Sequence, residues 1–134
     1  MSEARELYRD VYLRVTLERD GRMIRAVRSS QPFPDPDTLL SSYKTLMERI
    51  RPHVKPGTLL LQDQRMAVGR NDANFEVALR QVRELFLPMF ERRATLVQSS
   101  VGKLQVSRLL KEDKLERLVS QDEDELLRYL GVEA

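Results

Sequence analysis

The sequence predicts an α/β fold: an N-terminal β-hairpin joined to a mainly parallel sheet of roughly four to five strands, with about four helices. Three observations carry this reading. From Val11 to Glu18 apolar and polar side chains alternate, the period of a strand with one buried face. Leu59-Leu60-Leu61-Gln62 is apolar without alternation, as in a central strand buried on both faces. Around that strand, apolar residues recur at three- and four-residue spacing, the mark of helices that cross from one parallel strand to the next.

Taken in order, residues 1–8 are charged and read as a flexible or helical extension. Val11, Leu13, Val15 and Leu17 then share one strand face, with Tyr12, Arg14, Thr16 and Glu18 on the other. Asp20-Gly21 supplies a tight turn into a second strand over Met23 to Val27. Pro32, Pro34 and Pro36 interrupt regular structure, and Asp37 is positioned to cap a helix over 38–51 whose stripe is Leu39, Leu40, Tyr43, Leu46, Met47 and Ile50. Pro52 ends it, and Pro56-Gly57 turns the chain into the central strand. Asn71 or Asp72 caps the next helix, which carries Phe75, Ala78, Leu79, Val82, Leu85 and Phe86 inward and stops near Pro88. A strand over Ala94 to Val97, a helix after Ser99-Ser100 bearing Val101, Leu104, Leu109 and Leu110, and a strand at Leu118-Val119 follow. Asp122 and Glu123 open the terminal helix, with Leu126, Leu127 and Leu130 inward and Gly131 as its stop.

Composition bounds the function. A chain of 134 residues suits one domain with one hydrophobic core. Hydrophobic residues at 41% and charged residues at 33% describe a folded protein with a charged surface rather than a disordered one. With no cysteine there are no disulfides, thiolate nucleophiles or cysteine-ligated metals, which fits a reducing compartment. No segment approaches the roughly 18 to 20 apolar residues of a membrane-spanning helix, so a cytoplasmic protein without a membrane span is expected. The net charge of +2 does not by itself indicate a nucleic-acid binder.

His53, the single histidine, sits in the irregular Pro52-His53-Val54 turn and reads as a solvated loop residue rather than a base. The five glycines are scattered, and none falls in a dinucleotide or P-loop spacing. Ser99-Ser100-Val101-Gly102-Lys103 lacks the upstream glycine of a phosphate loop and reads as a capped helix start. Asp122-Glu123-Asp124-Glu125 is explained by dipole complementarity at a helix start. No catalytic residue, metal site or cofactor is expected.

Two stretches resemble the STAS and SpoIIAA-like domains of anti-sigma-factor antagonists: Leu59-Leu60-Leu61-Gln62-Asp63, and Leu118 to Leu127 with its acidic-capped helix. The order of elements from Tyr12 to Leu130 is similar as well. The resemblance implies a STAS-like sandwich over 1–134 and a regulatory or scaffolding module that binds another protein, with a homodimer as a further option. In such antagonists a serine at the start of the helix after the central strand is phosphorylated. The corresponding stretch here, Gly69 to Phe75, has no Ser or Thr, so the usual switch is not carried over.

The partner surface expected from this reading is the segment after the central strand: Asp63, Arg65, Met66, Arg70, Asn71, Asp72, Asn74 and Phe75. Its arginines would pair with a partner's anionic groups while Met66 supplies an adaptable apolar contact. A nucleic-acid binder using Arg14, Arg19, Arg22, Arg25 and Arg28 is the alternative, disfavoured because Tyr12 is the one aromatic nearby for stacking. Small-ligand or lipid binding ranks third.

Overall fold

A computed structural model describes residues 4–68, 72–98 and 117–132. Its order is β1 (Arg5–Arg9), β2 (Leu13–Glu18), β3 (Met23–Arg28), α1 (Pro36–Ile50), β4 (Leu59–Asp63), α2 (Ala73–Phe86), β5 (Arg92–Leu96), β6 (Arg117–Ser120) and α3 (Glu123–Leu130). The strands form one mixed sheet in the order β1-β2-β3-β4-β5-β6. β1, β2 and β3 are antiparallel, whereas β3 to β6 run parallel. The α/β character is as expected, but among the described residues the sheet has six strands rather than four or five. The described residues hold three α-helices, and the helix expected after Ser99-Ser100 lies outside them.

The extra strand is β1, in residues expected to be an extension. Three of its five residues are charged, so alternation does not reveal it. What holds it is tertiary. The Asp10 carboxylate accepts from the Tyr8 hydroxyl at 2.6 Å, from the Tyr12 and Leu13 N–H groups at 2.7 and 2.8 Å, and from the Ser42 hydroxyl on α1. Burial pushes the Asp10 carboxyl up, but these donors more than offset it and hold it below the usual carboxylate range.

The helix boundaries follow cap chemistry. Asp35, not Asp37, caps α1, accepting from the Thr38 N–H at 2.7 Å, because Pro36 occupies the first turn where its missing N–H costs nothing. Asp72 caps α2 and Asp122 caps α3. Gly131 closes α3 at φ 78°, a left-handed conformation that glycine adopts without penalty.

The sheet buries both faces. On one, Leu13, Val15, Ile24, Ala26 and Leu60 meet the stripes of α1 and α2, including Leu46, Ile50, Phe75, Val82 and Phe86. Successive crossovers stepping one way across a sheet with the same hand place their helices on the same face. On the other face Met23, Leu59, Leu61, Ala94 and Leu96 pack under Leu126, Leu127 and Leu130 of α3. All five residues of β4 are buried, as the unbroken apolar run anticipated. Two assignments to the interior fail. Val11 precedes β2 and is 67% exposed, and Leu85, at the margin of the α2 stripe, is 64% exposed.

Candidate functional site

The carboxyl end of β4 is the centre of the candidate site. Asp63, its last residue, shares the α3 face with Arg25 of β3, since Val27 pairs with Asp63 and Arg25 with Leu61 in the parallel register. The chain then turns, with the Gln64 N–H donating to the Leu96 carbonyl at 2.9 Å and the Ala67 N–H to the Gln64 carbonyl at 3.1 Å. The first bond ties the loop to β5 and the second closes its turn.

Charges fill the space around Asp63. Arg65 grips it with a fork: Nε donates to Oδ1 at 3.0 Å, Nη2 to Oδ2 at 2.7 Å, and the Arg65 backbone N–H adds a contact to Oδ1 at 3.1 Å. The Asp63 side chain is 7% exposed and that of Arg65 is 50% exposed. Burial raises the Asp63 carboxyl, but Arg65 and the field of Arg25 hold it below its ordinary range. Arg25 donates in turn to Glu18 at 2.9 Å and to Glu123, the first residue of α3, at 2.7 Å. Burial lowers the Arg25 guanidinium, and its two carboxylates more than restore it. Thr16 completes the row by donating its hydroxyl to Glu18 at 2.8 Å.

This arrangement changes the role expected for Arg65. Its guanidinium is engaged within the chain, so pairing with a partner's anion would compete with a bidentate bond to a buried carboxylate. The carboxylate itself is held ionised, which makes it a poor proton donor near neutral pH. Beyond the half-exposed Arg65, two apolar residues face solvent: Met66 is 58% exposed and Val68 55% exposed.

The other expected residues divide. Asp72 and Asn74 are exposed at the start of α2, where the Asn74 N–H donates to Asp72 Oδ1 at 2.9 Å. Phe75 is not a surface contact. It opens the inward stripe of α2 and is 4% exposed, packed in the larger core. Arg70 and Asn71 lie outside the described residues.

The hairpin arginines do not form one basic ribbon. Arg25 is committed to Glu18 and Glu123, and Arg14 pairs with Glu6 at 3.2 Å. Arg28 points to the opposite face, 4.5 Å from the Phe33 ring centre, and donates to the Tyr12 and Gln31 carbonyls. Arg22 is exposed at the turn and Arg19 is half-buried there.

The Glu18–Arg25–Glu123 network escaped the reading of the sequence, because its members are brought together only by strand pairing and by the docking of α3. On the helix face, the Gln62 side-chain carbonyl accepts from the Thr95 hydroxyl at 3.3 Å and from Arg117 at 3.2 Å, a polar row across β4, β5 and β6 that was also missed. Among the described residues no group of three or more acidic or histidine side chains could hold a metal ion, and no helix is long and apolar enough to cross a membrane. No family model, curated protein or solved structure matches the chain. The fold thus defines an α/β protein with a six-stranded mixed sheet and helices on both faces.

Proposed function

We propose that the chain is a non-enzymatic regulatory or scaffolding module of STAS-like type, acting in the cytoplasm, that docks another protein through the loop after β4. The observation that carries this reading is the exposure of Met66 and Val68 beside a loop anchored by Asp63 and Arg65. An adaptable thioether and a β-branched side chain, held on a fixed loop at the carboxyl end of a central strand, make a contact whose ordering cost is already met. The charges beneath serve to hold the loop rather than to touch the partner. Without a hydroxyl between Gly69 and Phe75, docking is not switched by phosphorylation there.

The test is affinity purification from the native cell with wild type and a Met66→Lys/Val68→Lys variant. Leu85→Lys, exposed on α2, serves as a control. Loss of a specific protein with the loop variant and its retention with the control is the expected result. A partner indifferent to the loop change, or steady turnover of a small molecule by the purified protein, overturns the reading.

A further inference from the structure

Two tight turns lie side by side at the opposite end of the sheet, where β4 begins. In the β2–β3 turn Arg19 and Asp20 have φ 57° and Gly21 has φ 85°. The Gly21 N–H donates to the Glu18 carbonyl and the Arg22 N–H to the Arg19 carbonyl, both at 3.2 Å. The second turn, Lys55 to Thr58, has Gly57 at φ 92° after Pro56, the requirement of a type II turn. Its Thr58 N–H donates to the Lys55 carbonyl at 3.0 Å, and the Lys55 N–H donates to the Thr58 hydroxyl at 2.9 Å. A bond of 2.9 Å from the Leu59 N–H to the Arg22 carbonyl locks the two turns together.

Between them is a cleft of about 310 Å³ bordered by Arg22, His53 and Lys55, with Asp20 as its one carboxylate. Among the described residues neither Arg22 nor Lys55 takes part in an ion pair, unlike Arg25 and Arg65. We propose that this cleft binds a phosphate group, either free or carried on a small organic molecule. Three donor types border it, a planar guanidinium whose Nε already donates to the Arg19 carbonyl at 3.1 Å, a compact ammonium and an imidazole, and together they suit a tetrahedral oxyanion. Both walls are fixed by their own hydrogen bonds, so little ordering opposes binding. The cleft takes a small phosphate species rather than an extended polyanion, since Arg14 and Arg25 are paired with carboxylates, Arg28 lies against Phe33, and Arg19 does not line the cleft.

His53 is the only histidine, so its ring gives a single imidazole signal in the NMR spectrum of the intact chain. The experiment titrates inorganic phosphate, and separately phenyl phosphate, at fixed pH and ionic strength, with chloride as the control salt. A saturable shift of the His53 signal, absent with chloride, is expected. Arg22→Gln and Lys55→Gln should each weaken binding about tenfold. Asp20→Asn should tighten it, because asparagine keeps the left-handed backbone while removing the opposing charge. Tighter binding of phenyl phosphate assigns the site to an organic ester, and tighter binding of inorganic phosphate assigns it to the free ion. A His53 signal that phosphate does not move, or that moves equally in a folded Arg22→Gln/Lys55→Gln double variant, overturns the proposal.

Discussion

The two ends of β4 use charge in opposite ways. At the carboxyl end the half-exposed Arg65 grips the buried Asp63, and Arg25 grips Glu18 and Glu123, in contacts of 2.7 to 3.0 Å. At the amino end Arg22 and Lys55 border an open cleft and are exposed. Charge at the first end holds the loop and the terminal helix in position, while Met66 and Val68 face solvent. At the second end Arg22 Nε donates to the Arg19 carbonyl at 3.1 Å, and among the described residues neither Arg22 nor Lys55 takes part in an ion pair.

Substitutions separate these roles. The largest effect is expected for Arg25→Met, which strands Glu18 and Glu123 together at the edge of the smaller core. A loss of about 3 kcal/mol in urea unfolding is expected, the scale for breaking a buried ion pair from one side. Arg65→Ala follows, leaving the buried Asp63 carboxylate without its fork and costing about 2 kcal/mol at pH 7. Because the folded Asp63 carboxyl lies below its ordinary value, its contribution is complete above about pH 4 and is lost as pH falls through the folded value. The difference between wild type and Arg65→Ala should therefore shrink when unfolding is repeated near pH 3. Equal differences at the two pH values would show that Asp63 is not held by Arg65. The smallest effect is expected for Arg22→Gln and Lys55→Gln, within about 0.5 kcal/mol of wild type, as for surface changes that break no network. A large loss there would erase the contrast between the two ends.

How far the sequence disclosed this molecule depends on how local each signal is. The hairpin, β4, the three described helices and the glycine that closes α3 were legible because alternation, an unbroken apolar run and helical stripes are all short-range patterns. β1 was not, since Arg5-Glu6-Leu7-Tyr8-Arg9 carries no alternating pattern and is kept in the sheet by Asp10 and by Ser42 on α1. The candidate site was half legible. The loop after β4 stands where the sequence placed it, and Met66 is exposed on it. The inward turn of Phe75 and the closure of Arg65 onto Asp63 depend on where a helix docks and how a chain bends after a strand. Neither is written in residue type alone.

The contact between Arg25 and Glu123 joins residues 98 positions apart. Contacts of such sequence separation form late, since the entropy of closing a long loop is met only when much of the intervening chain is ordered. On a ribosome the hairpin, α1 and β4 are made long before Glu123. The α1 side of the sheet can therefore consolidate first, while Met23, Leu59 and Leu61 wait for Leu126, Leu127 and Leu130 to cover them. Until then the nascent chain presents an apolar sheet face with Arg25 at its margin, and chaperone binding during synthesis is expected to concentrate on that face.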